Sequence, residues 1–118
     1  MNSIIKGQVP AYFATIHMAG CIDEARPIIQ KYVLKGGCIE LTEVEYIYTG
    51  GREKGFTARL MAYARFPKTP HVIFKEAKEL GDELLDALSQ MSYSIETTDD
   101  SFYIEREGAV KAPAPASK

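Results

Sequence analysis

The stretch from Ile39 to Phe66, IELTEVEYIYTGGREKGFTARLMAYARF, holds the two longest β-like runs of the chain. They are separated by a glycine-rich segment, Thr49-Gly50-Gly51-Arg52-Glu53-Lys54-Gly55. In the second run Phe56, Ala58, Leu60, Ala62, Ala64 and Phe66 alternate with Thr57, Arg59, Met61, Tyr63 and Arg65. Such period-two alternation places one set on a core face and the other on an amphipathic outer face. The first run is less regular: Ile39 and Leu41 share one parity, while Val44, Tyr46 and Tyr48 share the other. A bulge near Thr42-Glu43 would bring both sets to one side. The pair reads as a long central hairpin with a permissive, charged tip.

The flanking sequence supplies the remaining elements. Ala11 to Ala19 reads as a first strand stopped by Gly20. Asp23 and Glu24 suit a helix start, with Pro27 expected in the first turn, and Gly36-Gly37 ends that helix. Thr69-Pro70 is a second helix start, followed by Ile73, Ala77, Leu80, Leu84 and Leu88 at helical spacing, with Gly81 weakening the middle. Tyr93–Thr97 and Phe102–Glu105 read as short strands around the turn Thr98-Asp99-Asp100. The predicted architecture is α+β: a ferredoxin-like β-α-β-β-α-β plan with an extra short C-terminal strand. One domain is expected over 1–107, followed by a disordered Ala/Pro-rich tail at 108–118.

Composition narrows the function classes. With 118 residues, 46% hydrophobic and 25% charged, the chain is long enough for one core and too apolar for general disorder. A net charge of −2 gives no general attraction to a polyanion, so nucleic acid is disfavoured. Lys54-Gly55-Phe56 opens like an RNA-recognition signature, but Ala58 and Arg59 break that pattern. No stretch approaches the roughly 20 apolar residues of a membrane span. Nor is a secretory leader expected, and Cys21 and Cys38 read as free thiols, so the expected location is the cytoplasm.

The glycine segment matches neither a Walker nor a dinucleotide motif. Its chemistry would rest on Arg52 and Lys54 for an anionic group, and on Gly50, Gly51 and Gly55 for close backbone approach. Tyr48 and Tyr63 would flank such a site. Arg59, Met61 and Arg65 on the outer face suit a subunit or partner contact. Glu40, Glu43 and Glu45 could serve acid–base or metal chemistry, whereas His17 and His71 are too far apart in sequence to read as a metal-binding pair. Cys38 has no histidine near it in sequence and reads as a small buried hydrophobe rather than a nucleophile. The identity of any cofactor stays unknown at this point, and no catalytic or metal-ligating set emerges.

Asp23-Glu24-Ala25, Gly37-Cys38 and Tyr46-Ile47-Tyr48-Thr49-Gly50 together resemble the CutA family. Leu41-Thr42-Glu43-Val44 and Gly51-Arg52-Glu53-Lys54-Gly55 resemble the PII signalling proteins. The likeness covers Asp23 to Phe66 and omits CutA's His/Pro-containing segment and the long flexible loop of PII. It implies a ferredoxin-like homotrimer and a regulatory, ligand-responsive binding protein. The leading expectation is therefore a non-enzymatic oligomer that binds a small anionic ligand, such as a nucleotide, between subunits. The alternatives are a protein-interaction module acting through the open sheet face, as inhibitor or adaptor, and a small carboxylate- or metal-dependent enzyme.

Overall fold

The computed structural model describes residues 1–108. Its elements are β1 (Phe13–Ala19), α1 (Ile22–Tyr32), β2 (Ile39–Tyr48), β3 (Gly51–Met61), α2 (Pro70–Ala87), β4 (Ser92–Thr97) and β5 (Ser101–Glu105). The fold is α+β. A five-stranded antiparallel sheet in the order β2-β3-β1-β4-β5 carries two helices. The expected tail falls, from residue 109 onward, outside the described residues. Among the described residues, no helix is long and apolar enough to cross a membrane.

Alternation decides which side of the sheet is covered. Ala14, Ile16 and Met18 of β1, Phe56, Ala58 and Leu60 of β3, and Tyr93 and Ile95 of β4 are buried on one face. Against them α1 sets Ala25, Ile29 and Tyr32, and α2 sets Ile73, Ala77, Leu80 and Leu84. Thr69 caps α2 as its sequence predicts, its Oγ1 accepting from the Val72 amide at 3.3 Å. Pro27 departs from expectation: it lies inside α1, where its missing N–H leaves the Asp23 carbonyl without a helical donor.

The central hairpin is more regular than its sequence. Pairing runs unbroken from Ile39↔Leu60 to Tyr48↔Gly51, so the expected bulge is absent. Ile39 and Leu41 face the helices, while Val44, Tyr46 and Tyr48 face the open side. Both parities are usable because β1 pairs with β3 only as far as Ala19↔Gly55. Beyond that point the ribbon has left the helix layer. The turn contracts to Thr49-Gly50, with Gly50 at φ +85°, and Gly51–Gly55 belong to β3 rather than to a loop. At the other end β3 stops at Met61, and Tyr63↔Phe66 is an isolated bridge.

Gly81 has a packing reason. A Cβ there would lie 2.3 Å from the Tyr93 ring, whose hydroxyl donates to Asp82 Oδ1 at 2.8 Å and to the Lys78 carbonyl at 3.2 Å. Gly81→Ala should therefore destabilise by about 1–3 kcal/mol, although alanine is the better helix former. A chemical-denaturation midpoint at or above wild type would contradict this.

Tyr93 and Tyr32 also set an alkaline limit. Burial, then a hydrogen bond to Asp82 or Glu79 respectively, pushes each phenol well above the ordinary value of 10.0. Near pH 10 the unfolded chain loses these protons while the folded chain keeps them. Stability should hold up to about pH 10 and fall steadily above it. Tyr93→Phe should flatten part of that fall in denaturation midpoints measured from pH 8 to 12.

Candidate functional site

The phase that buries Phe56, Ala58 and Leu60 turns Glu53, Gly55, Thr57 and Arg59 to the uncovered face of the sheet. On that face, at the root of the hairpin, lies a cleft bounded by β1, the β2–β3 ribbon, β5 and the Ser89–Met91 turn. Its polar side chains include His17, Tyr46, Glu53, Gln90, Ser92, Ser94 and Tyr103; among the described residues no lysine or arginine lines it.

Each wall has a local cause. Tyr46 lies over Gly55, where a Cβ would come 2.3 Å from the ring and 2.6 Å from the Met18 carbonyl. Its hydroxyl donates to the Phe56 carbonyl at 3.2 Å, and burial raises its pKa, with the Glu53 carboxylate adding to the rise. Glu53 is Tyr46's cross-strand partner, so ring and carboxylate share one face. In the middle of the sheet His17 pairs with Ser94, and Ser94 pairs with Tyr103. His17 Nε2 lies 3.0 Å from Glu96 Oε1. Such a histidine–carboxylate pair can accept and pass on a proton.

The turn after α2 is locked from behind. Arg106 Nη2 donates to the Leu85 carbonyl at 3.0 Å and to the Gln90 carbonyl at 2.9 Å. Ser89 holds φ 56° within this turn. The hairpin root is tied by the Gly20 amide donating to the Lys54 carbonyl at 3.0 Å. Cleft geometry is thus set by backbone contacts on both sides.

The residues singled out in the sequence do not form one site. Tyr48, Gly50 and Gly51 make the hairpin tip, with the Tyr48 ring folded over Gly51. Arg52 and Lys54 point to the face opposite the cleft, since their parity is that of Phe56. Arg52 Nε lies 3.6 Å from Glu45 Oε2, and Lys54 sits across from the same glutamate. Gly55 makes room for Tyr46. Tyr63 lies past the far end of β3, beside Cys38, whose hydrogen bond is the main cause of the raised Tyr63 pKa. Arg59 and Met61 are on the open face, and Arg65 is exposed in the turn between Tyr63 and Phe66.

The three glutamates also separate. Glu40 shares the open face with Arg59, whereas Glu43 and Glu45 have the other parity. Among the described residues no group of three or more His, Cys, Asp or Glu could hold a metal ion. Cys38, expected to be a small buried hydrophobe, is exposed.

The sequence reading missed the His17–Glu96 pair and the cleft's use of Tyr46 and Glu53. Seventy-nine residues separate His17 from Glu96, so no local signal joins them. Tyr46 and Glu53 become neighbours only once the hairpin register is known. A second concavity, between Gly36–Cys38 and the start of α2, is walled by Tyr63, Phe66 and aliphatic side chains. It contains Lys68, whose Nζ donates to both Glu76 oxygens, at 2.9 and 3.1 Å.

The sequence matches no protein-family model and no curated protein. Its fold does match solved structures. A phage SAM lyase in complex with S-methyl-5'-thioadenosine superposes with TM-score 0.69 at 12% identity, covering 92% of this chain and 100% of that one. The apo state of a phage SAM lyase gives 0.66 at 15% identity, with the same coverage.

These findings overturn the expectation of a non-enzymatic, PII- or CutA-like regulator that binds an anion between subunits. Both of these structures, matched along their whole length, are of a phage SAM lyase, an enzyme. The physical basis of the earlier reading also falls away. The tip cations face away from the cleft, Arg52 lies within ion-pair distance of Glu45, and the space at Gly55 is filled by Tyr46.

Gly55 offers a direct check on this geometry. Gly55→Ala should cost about 2 kcal/mol or more, because both the Met18 carbonyl and the Tyr46 ring must move. Unfolding in urea with an unchanged midpoint would show that Tyr46 does not lie where the cleft requires.

Proposed function

We propose that the open-face cleft binds a cationic, adenosine-bearing sulfonium of the S-adenosylmethionine type and cleaves it as a lyase. The observation that carries this reading is the cleft's composition: Glu53, Tyr46, Tyr103 and His17, the last paired with Glu96 outside the lining, with no lysine or arginine among the described lining residues. Carboxylates and aromatic faces attract a sulfonium cation and offer a stacking surface for a purine. The full-length likeness to a lyase whose complex contains S-methyl-5'-thioadenosine supports the same ligand class. The helix and strand order, with sheet order β2-β3-β1-β4-β5, supports a ferredoxin-like description of the fold.

The chemistry asks little of a protein. The bond between sulfur and the amino-acid γ-carbon breaks, and its electron pair stays on sulfur. This releases neutral S-methyl-5'-thioadenosine, while the adjacent β-carbon loses a proton and the pair of its C–H bond forms a double bond to the γ-carbon. No water, oxidant or reductant is consumed. Charge on sulfur is lost along the reaction, so a cleft that partly desolvates the cation favours cleavage. In this reading Tyr46 stacks the base and Glu53 engages the ribose hydroxyls, while His17, held by Glu96, accepts the proton.

The exposed thiols Cys21 and Cys38 support a reducing compartment, in keeping with a cytoplasmic enzyme. The hairpin beyond Gly55 is a two-stranded ribbon with Ile47 77% exposed, and a second copy of the chain is a fitting cover for it.

The test is incubation of the purified protein with S-adenosylmethionine, with S-methyl-5'-thioadenosine followed by liquid chromatography and mass spectrometry. Wild type should release the thioether nucleoside. His17→Asn should slow release by about 100-fold or more, in the range of a lost proton acceptor, and Glu53→Gln should raise KM. A wild type that neither turns over the sulfonium nor binds the thioadenosine contradicts the reading.

A further inference from the structure

Arg59 is the one described residue with a buried side-chain nitrogen that lacks any hydrogen-bond partner. Its Nε is the orphan. No ion pair among the described residues includes it either, although Glu40 is its cross-strand neighbour on the same face. A buried guanidinium nitrogen without a partner is costly, and each such atom calls for an explanation, a water, an ion or a ligand among them.

The surroundings say what kind of acceptor fits. The guanidinium carbon lies 4.7 Å from the centre of the Phe13 ring, a cation–π contact that holds the head group beside that ring. Beneath it in β1 is Thr15, only 8% exposed. Arg59 also lines a groove formed with Phe13, Met61 and the incoming segment at Gln8–Tyr12. A guanidinium bordering a groove suits a carboxylate, which its planar head can take with two parallel hydrogen bonds.

Position links this fork to the cleft. Tyr46 lies over Gly55, and Arg59 is four residues further along β3 on the same face. Four residues of strand span about 13 Å, the scale of an extended adenosyl amino acid. His17, paired with Thr57, lies between them.

We propose that Arg59 receives the α-carboxylate of the substrate's amino-acid end. The ligand would lie along the open face, its base at Tyr46 and its reacting carbon near His17. Arg59 is then a specificity residue: it separates amino-acid-bearing adenosyl compounds from those that lack the carboxylate. This rests on the lyase reading of the cleft.

The experiment compares wild type with Arg59→Met, whose linear side chain can still pack on Phe13, and with Arg59→Lys. Each is measured for KM and kcat with S-adenosylmethionine, and for affinity toward S-adenosylhomocysteine and S-methyl-5'-thioadenosine. Of these last two, only the homocysteine compound carries a carboxylate. Arg59→Met should raise KM and weaken S-adenosylhomocysteine by about 10- to 100-fold, the range of a lost hydrogen bond to a charged group. Thioadenosine affinity should change less than about twofold, and Arg59→Lys should recover part of the loss.

Equal weakening of both nucleosides would mean that Arg59 merely packs the sheet, and unchanged binding of both would mean that it faces no ligand. Either result overturns the proposal while leaving the lyase reading intact. If wild type binds no thioadenosine at all, the cleft reading fails and the assignment to Arg59 fails with it.

Discussion

The phase of one strand governs this molecule. Phe56, Ala58 and Leu60 are each at most 5% exposed, and burying side chains such as Phe56 and Leu60 contributes about 1.5–3 kcal/mol apiece. A slip of β3 by one residue would expose all three and turn Thr57 and Arg59 toward the helices, where a guanidinium has no partner. With that phase set, β1 and β2 register against β3, α1 and α2 cover one face, and the other face is left to chemistry. The cleft follows from the phase as much as the core does. Glu53, Thr57 and Arg59 face outward because Phe56, Ala58 and Leu60 face inward.

Much of the fold was legible for the same reason. Alternation in β3, the Thr69-Pro70 start of α2 and its Ile73–Leu84 stripe each report a burial pattern within a single element. The errors arose where burial stops being the guide. Beyond Gly55 the ribbon leaves the helix layer, so the parity change in β2 reflects a loss of covering rather than a bulge. The glycines misled in a similar way. Gly55 and Gly81 suggest backbone freedom in sequence, yet both stand where a tyrosine ring needs the volume of a Cβ.

The site was less legible than the fold because its members belong to different strands. Arg52 and Lys54 stand out in the sequence as cations two residues apart in a glycine-rich segment, but strand geometry directs them away from Glu53, which lies between them. His17 looked bland in isolation, and its meaning comes from Glu96, two strands' worth of chain later. Arg59 was visible as an outer-face residue, while its unspent Nε could be seen only after the sheet was assembled. Charge at a loop tip is easy to see in a sequence. Charge opposed across a sheet is not.

In the proposed pose the ligand's base lies on the aromatic end of this face, its sulfonium over the acidic cleft and its carboxylate at Arg59. The most direct measurement is a two-dimensional amide and side-chain NMR titration of the full chain with S-methyl-5'-thioadenosine. The account requires saturable shifts at Tyr46, Glu53, His17, Ser94 and Tyr103, with the Thr49–Gly50 tip little affected. Shifts confined to that tip or to the Tyr63–Lys68 concavity, or no saturable shift at all, would contradict it.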